Sequence, residues 1–525
     1  MSQTRRKFFK AGAIAVGGFT LSRMMNQSAM AQAIWPYSEN QVSGPFQPTE
    51  ESLKQYKCPD WFRNAKFGIW AVWGPESVPM QGDWYARNMY DEGSRQNKFH
   101  VATYGHPSKV GFKDIIPKWK AENWDPDALM QRYKNAGAKY FCMIAMHHDN
   151  FDCFNSKYQK WNAVIEGPKR DIAGEWQKAA KKHGLKFGMT EHLAASWWFY
   201  GTAKGADKIG AMAGVPYDGT NPDYSELYWK GNEKVEGHYY IPNAPDFVKK
   251  TWYNRINSMI ERYQPDLLYS DSPLPYPDEY GRQLLCNLYN ANTKANKGNV
   301  EAVYNCKQDS DGKWVRDLER GVRDNIHPEP WQTDTCVGEW YYRSSLLENH
   351  KYKSTESIIH LLTDIVSKNG NLLLNFPLKP DGTLDEDESK ILDELSVWMP
   401  INGEAIFDTR PWKVYGEGPS LTEVPKEGQF GGVADTRSKP YTADDIRFTT
   451  NANTLYAIFL GWPDGSEFNI KSLSPAVGQI SRVTLLGQKS KLNWKQTADG
   501  LTINKPEDKP CNYAFAFKVE GLKLA

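Results

Sequence analysis

Residues 138–154 read AKYFCMIAMHHDNFDCF. Positions 140–146 are apolar without alternation, the pattern of a strand buried on both faces, as in a parallel sheet. The run stops at His147, His148 and Asp149. Burying polar or charged groups costs free energy unless they are paired, so three of them at one strand tip need a reason. Three readings stand: a metal site, a structural bond to a neighbouring strand, or recognition of hydroxyls. A shared metal is disfavoured here, because adjacent residues on a strand point to opposite faces and no further ligand stands in register. A neutral imidazole both donates and accepts, which suits a sugar hydroxyl.

Upstream, WDPDALMQRYKNAG predicts a helix with Asp125 as N-cap, Pro126 in the first turn and Gly137 at its end. Leu129, Met130 and Tyr133 share its apolar face. The same helix-then-strand order recurs along the chain. IAGEWQKAAKKHG leads to LKFGMTEH, 246–263 to PDLLYSD, 279–295 to VEAVYNCK, and 354–369 to NLLLNF, while FGIWAVW (67–73) is the first strand. PWQTDT (330–335) is a weaker seventh. Strands alternating with helices predict an α/β fold, a (β/α)₈-like barrel of the TIM type over residues 34–404. An open doubly wound sheet competes, but no Gly-rich phosphate turn follows any strand. In a barrel the carboxyl ends of the strands share one mouth, where chemistry belongs. Those ends carry His147, His148, Glu191, His192, Asp271 and Lys307.

After residue 405 the pattern turns to alternating runs, DDIRFTTNANTLYAIFLGW, RVTLLGQKSKLNWKQ and YAFAFKV. These predict a C-terminal antiparallel β-sandwich over 405–525, with Trp462 and Trp494 as core or as a sugar platform. The segment 201–240, rich in Gly, Asp and Tyr, is the expected active-site loop. At the other end, TRRKFFK, an uncharged run and SAMAQA resemble a twin-arginine export signal over 1–33. That run is too short to anchor the chain in a bilayer. The expectation is export to the periplasm or beyond.

With 64 basic and 63 acidic residues, the net charge of +1 gives no electrostatic footprint for nucleic acid or an acidic membrane. Seven cysteines without a CxxC pair predict neither a zinc site nor a disulfide framework. The 20 Trp and 28 Tyr residues offer flat faces of the kind that stack on sugar rings. Oligomeric state is not set by any of these features.

Asp271, closing PDLLYSD, reads equally as a cap on the turn after its strand, and Glu319, in RDLERG, as a solvated charge. Two carboxylates on one barrel mouth are nonetheless what glycoside hydrolysis needs. Four segments then carry a resemblance: WFRNAKFGIWAVWGPESVPMQGDWYARNMY, AKYFCMIAMHHDNFDCFNSKY, PDLLYSDSP and NGNLLLNFPLKPDGTLDEDE. Together, from about residue 55 to 415, the chain resembles the α-L-fucosidases of glycoside hydrolase family 29. The resemblance implies a retaining exo-α-L-fucosidase, of the EC 3.2.1.51 class, acting on fucosylated oligo- or polysaccharides with no metal or organic cofactor.

By that resemblance Asp271 matches the nucleophile, His147 and His148 the paired fucose-binding imidazoles, and Trp84 the Trp of an acidic-Trp-Tyr motif. Asp83 stands where Glu is usual in that motif. The acid/base is the family's variable position; Glu319, twelve residues after Lys307, is the first choice, with Glu339 and Glu329 in reserve. Trp73, Glu191, His192, Tyr269 and Lys307 complete the expected pocket. Four departures stand out: Val72 replaces a His, Thr190-Glu191-His192 replaces Tyr-Tyr-Ser, Lys307 replaces Arg and Tyr269 replaces Trp. They imply a sugar other than plain terminal fucose: sulfated or methylated fucose, or L-galactose. An α-L-galactosidase, a catalytically silent glycan-binding protein and a metallohydrolase using His147, His148, Asp149 and His192 are the alternatives.

Overall fold

The apolar runs between residues 67 and 375 become strands of one closed parallel barrel. The computed structural model describes residues 41–232, 244–423, 426–429, 432–437 and 439–524; the expected export signal at 1–33 lies outside them. The first nine strands are β1 (Phe67–Ala71), β2 (Tyr140–Met146), β3 (Lys186–Glu191), β4 (Leu267–Ser270), β5 (Val303–Cys306), β6 (Val315–Asp317), β7 (Gly321–Val322), β8 (Trp331–Cys336) and β9 (Gly370–Asn375). All but β7 form the barrel, in the order β1-β2-β3-β4-β5-β6-β8-β9, with β9 closing on β1. Six of these strands and the weaker seventh match the expected runs. The eighth, β6, is three residues long, too short for any periodicity to show.

The intervening helices follow the predicted spans. Pro126–Asn135 starts under Asp125, whose carboxylate accepts from the Asp127 and Ala128 amides. Its buried face is Leu129, Met130 and Tyr133, and Gly137 (φ 100°) turns the chain into β2. Ile172–His183, Asp246–Tyr263, Arg282–Ala295 and Thr355–Ser367 precede β3, β4, β5 and β9. No helix among the described residues is long and apolar enough to cross a membrane.

The barrel's last long helix, Glu386–Asn402, leads to β10 (Arg410–Glu417) and then β11 (Val433–Ala434), β12 (Ile446–Asn451), β13 (Thr454–Phe459), β14 (Glu467–Ile470), β15 (Arg482–Leu485), β16 (Trp494–Thr497), β17 (Gly500–Asn504) and β18 (Phe515–Glu520). β10-β12-β13-β18-β15 form a five-stranded antiparallel sheet and β14-β17-β16 a three-stranded one. Phe448, Phe459, Phe468, Phe517 and Ile503 fill one core between them. Trp462 and Trp494 are half-buried against that core, and the Trp462 ring meets Phe468 and Phe515 edge-on, so it belongs to the packing.

Barrel and sandwich share one compact unit from Val42 onward. Their contact is pinned by a buried ion pair: Arg447 on β12 donates from Nε to Asp364 Oδ1 at 2.6 Å, on the helix before β9. Lys368 Nζ reaches the same carboxylate at 2.8 Å. Burial alone would raise the Asp364 carboxyl, but the two cations hold it down at about 2. Its folded value lies below its unfolded one, so the stability it contributes is present above pH 4 and lost as the pH falls toward 2. Arg447→Ala strips one partner from a buried charge while Lys368 remains. The expected loss is about 3 kcal/mol, the lower end for broken buried pairs. Urea unfolding at pH 7 measures it; an unchanged midpoint would refute the assignment. The loss should shrink as the pH drops from 4 toward 2.

Candidate active site

The carboxyl ends of the barrel strands enclose a cavity of about 390 Å³. Its wall includes Trp70, Val72, Trp84, Trp340, His147, His148, His192, Asp271, Glu319 and Glu339. Strand alternation decides which expected residues reach it. On β1 and just beyond, Trp70 and Val72 face inward, while Trp73 faces out between Trp119 and Trp124 and donates its indole N–H to the Lys379 carbonyl. Trp73 is therefore not a pocket residue. Glu191 likewise points away: its Oε2 accepts from the Leu193 amide and from Trp252 Nε1, while His192, one residue on, lines the cavity.

Asp271 follows β4, and four groups surround its carboxylate. The Lys307 ammonium, just past β5, pairs with Oδ1. Tyr269 Oη donates to the same oxygen at 3.2 Å. His192 Nδ1 lies 3.1 Å and His148 Nε2 3.7 Å from Oδ2. Burial would raise the Asp271 carboxyl, but the Lys307 charge and the imidazoles hold it well below the ordinary carboxylate range. It is an anion at any working pH. Lys307 pairs with Glu319 Oε2 as well, so one ammonium spans both carboxylates. Lys307 and Tyr269 thus act behind the cavity wall, through Asp271, rather than on it.

His147 and His148 lie just past the end of β2 rather than within it, so the strict alternation of a strand no longer applies and both rings line the cavity. This overturns the expectation from alternation: ring nitrogens of His147, His148 and His192 come within 4.8 Å of one another, a spacing a metal ion could use. Burial keeps His147 and His148 neutral, well below the ordinary histidine range. His148 Nδ1–H donates to the His192 carbonyl at 2.7 Å, which turns its Nε2 to the cavity as an acceptor. His147 Nδ1 lies 2.8 Å from Glu76, whose carboxyl burial lifts to about 8. With both neutral, the Glu76 O–H donates to Nδ1, and Nε2–H points toward Asp83, 3.6 Å away. The pair therefore presents one donor and one acceptor, the complement of a hydroxyl-bearing ring. Asp149 turns back to its own loop, its Oδ1 accepting from the Phe151 amide.

Trp84 stands at φ 61° and packs edge-on against His148, Trp198 and Phe199. Arg320, at φ 48°, lays its guanidinium over the Trp340 ring at 4.9 Å. Side chains in the left-handed region cost about 1–2 kcal/mol each, and strain of this kind collects at working sites. Both residues line the cavity.

Among the reserves, Glu339 lines the cavity, 3.7 Å from Arg343 Nη1. Glu329 is exposed and precedes β8, at the amino end of the barrel, remote from the mouth. Within the expected loop 201–240, no described residue lines the cavity, and 233–240 lie outside the described residues. Its contribution is packing: Tyr228, for example, stacks edge-on against Tyr200, whose hydroxyl donates to the Asp149 carbonyl. Sequence reasoning missed Glu76, Asp334, Arg320, Trp340 and Gln429. Glu76 had a signal, an acid in the turn after β1. Asp334 lay inside the weak seventh strand; its Oδ2 accepts from Tyr269 at 3.2 Å. Gln429 had none, being far along the chain in the C-terminal region.

A buried anion and a second carboxylate bridged by one cation, beneath paired imidazoles and a ring of tryptophans, fit glycoside chemistry, and comparison with known proteins points the same way. The family model Alpha-L-fucosidase matches residues 33–404, and the model of the alpha-L-fucosidase C-terminal domain matches 439–520. Rat tissue alpha-L-fucosidase is 28% identical over 504 residues, 94% of either chain. The human tissue enzyme is 27% identical, over 91% of this chain and 92% of its own. A crystal structure of Thermotoga maritima alpha-fucosidase with a mechanism-based inhibitor superposes with a TM-score of 0.69 at 26% identity, covering 90% of this chain and 100% of that one. With its barrel and its C-terminal sheets both matched, and in the same order, this chain belongs to the alpha-L-fucosidase family of glycoside hydrolases.

Proposed function

We propose that the protein is an exported, retaining exo-α-L-fucosidase in which Asp271 is the nucleophile and Glu319 the acid/base. The observation that carries the reading is the shared Lys307 ammonium. Two oxygens on one nitrogen, at ordinary distances of about 2.8 Å, are at most about 5.6 Å apart. A bridge that short keeps the two carboxylates close, as the roughly 5–5.5 Å between the carboxyl groups of retaining glycosidases requires. Asp271 attacks the anomeric carbon as Glu319 gives its proton to the leaving oxygen, forming a β-fucosyl ester. Glu319 then deprotonates water, which attacks the same carbon, frees Asp271 and releases α-L-fucose.

The sugar is a single terminal residue: a cavity of about 390 Å³ suits one ring rather than a chain passing through. Trp70, Val72 and Trp340 give it an apolar side for a methyl group, and Val72 stands where the family resemblance implied an imidazole. Arg320 on the wall offers a cation to a sulfated neighbour. The test combines two measurements. Proton NMR in the first minutes of hydrolysis should show the α-anomer of the sugar, and early β-anomer would refute retention. An aryl α-L-fucoside should be preferred over the α-L-galactoside by about 10- to 100-fold, the discrimination an apolar pocket gives against an added hydroxyl. The reverse order would favour the galactosidase alternative, and binding without any product the silent one.

A further inference from the structure

The C-terminal region does not stay beside the barrel. Lys426 to Gln429 and Gly432 to Ala434 pair as two antiparallel arms, with Glu427 bridged to Val433, the Gly428 amide donating to Gly432 O at 3.1 Å and the Ala434 amide to Lys426 O at 2.9 Å. The second arm is β11, and it pairs with β7, Val433 against Val322 and Ala434 against Gly321. Those partners follow Glu319 and Arg320 directly in sequence. The attachment is close: a Cβ at Gly432 (φ 69°) would stand 2.6 Å from the Val322 carbonyl. Just beyond, the Asp435 amide donates to the Arg320 carbonyl at 2.9 Å, and Asp435 Oδ2 accepts from Thr335 Oγ1 at 2.6 Å. Gln429, at the end of the first arm, is exposed and yet lines the cavity. Residues 405–438, which include both arms, fall outside both matched ranges, 33–404 and 439–520.

We propose that Gln429 contacts the leaving-group sugar and sets the enzyme's selectivity for the partner that carries the fucose. This rests on the assignment of Glu319 as acid/base. An acid that protonates the glycosidic oxygen stands on the leaving-group side of the scissile bond. The two arms are pinned to the strand following Glu319, so Gln429 occupies the rim on that same side. A neutral amide with two donors and an acceptor suits the hydroxyls and acetamido groups of a second sugar. Being exposed until substrate arrives, it does nothing for a ring buried at the cavity floor.

Gln429→Ala tests this, since an exposed rim side chain is not needed for folding. Fucosyl disaccharides linked α-1,2, α-1,3, α-1,4 and α-1,6 to galactose or N-acetylglucosamine are assayed beside an aryl α-L-fucoside. On the disaccharide that wild type cleaves best, kcat/KM is expected to fall about 3- to 10-fold, the worth of one hydrogen bond. The aryl fucoside should be cleaved as before. An equal fall on both substrates, or no change on either, overturns the proposal. If wild type releases no fucose from any of them, the fucosidase reading falls, and the leaving-group role with it. If Glu319→Ala keeps full activity while Gln429→Ala is selective, the acid/base assignment fails alone.

Discussion

Asp271→Ala is expected to lower turnover of an aryl α-L-fucoside by about 10⁴-fold or more, the scale on which loss of a residue that forms or drives a covalent intermediate is felt. Tyr269, Lys307 and His192 converge on the Asp271 oxygens as donors or cation, and the neutral His148 ring lies beside them. These contacts lower the carboxyl well below its ordinary range, so the acidic limb of the wild-type pH profile does not come from Asp271 above pH 4. The variant leaves a small anion-sized space beside the Lys307 ammonium. Azide should fill it and attack the anomeric carbon from the same side, giving β-L-fucosyl azide and restoring part of the rate. Wild-type turnover in Asp271→Ala, or rescue that yields the α-azide, would contradict the nucleophile assignment.

Glu319→Ala should cost about 10²–10⁴-fold on fucosyl disaccharides, the usual worth of general acid–base catalysis. For an activated leaving group such as dinitrophenol the first step needs no proton, so the ester forms at near the normal rate and accumulates. Mass spectrometry of the denatured variant should then show the chain heavier by one fucosyl unit. Glu339→Ala serves as the control, because Glu339 lines the same cavity 3.7 Å from Arg343. If Glu339→Ala shows the leaving-group dependence and Glu319→Ala does not, the two roles must be exchanged.

The barrel and the C-terminal sheets were legible in the chain because their signals are local. Uninterrupted apolar runs such as 140–146, amphipathic helices with Asp125 and Gly137 at their ends, and alternating runs after 405 each reflect burial within one element. The same locality made Asp271, His147 and His148 stand out, as polar groups placed where an apolar strand stops. Other choices depended on matters no single segment states. Val72 and His192 enter the cavity while Trp73 and Glu191 turn away, because one residue of register at a strand end reverses the direction of a side chain. β6 leaves no pattern in three residues, yet its place between β5 and β8 carries Glu319 to the mouth. The depressed carboxyl of Asp271 and the bridge from Lys307 to Glu319 arise only when β4, β5 and β6 stand side by side, since charge acts through space and not along the chain. Gln429 is the extreme case. It lies more than a hundred residues from Glu319 and reaches the cavity only because a strand pair ties the C-terminal region to the barrel rim. Periodic burial is a property of neighbours in the chain, and a catalytic cavity is a property of neighbours in space.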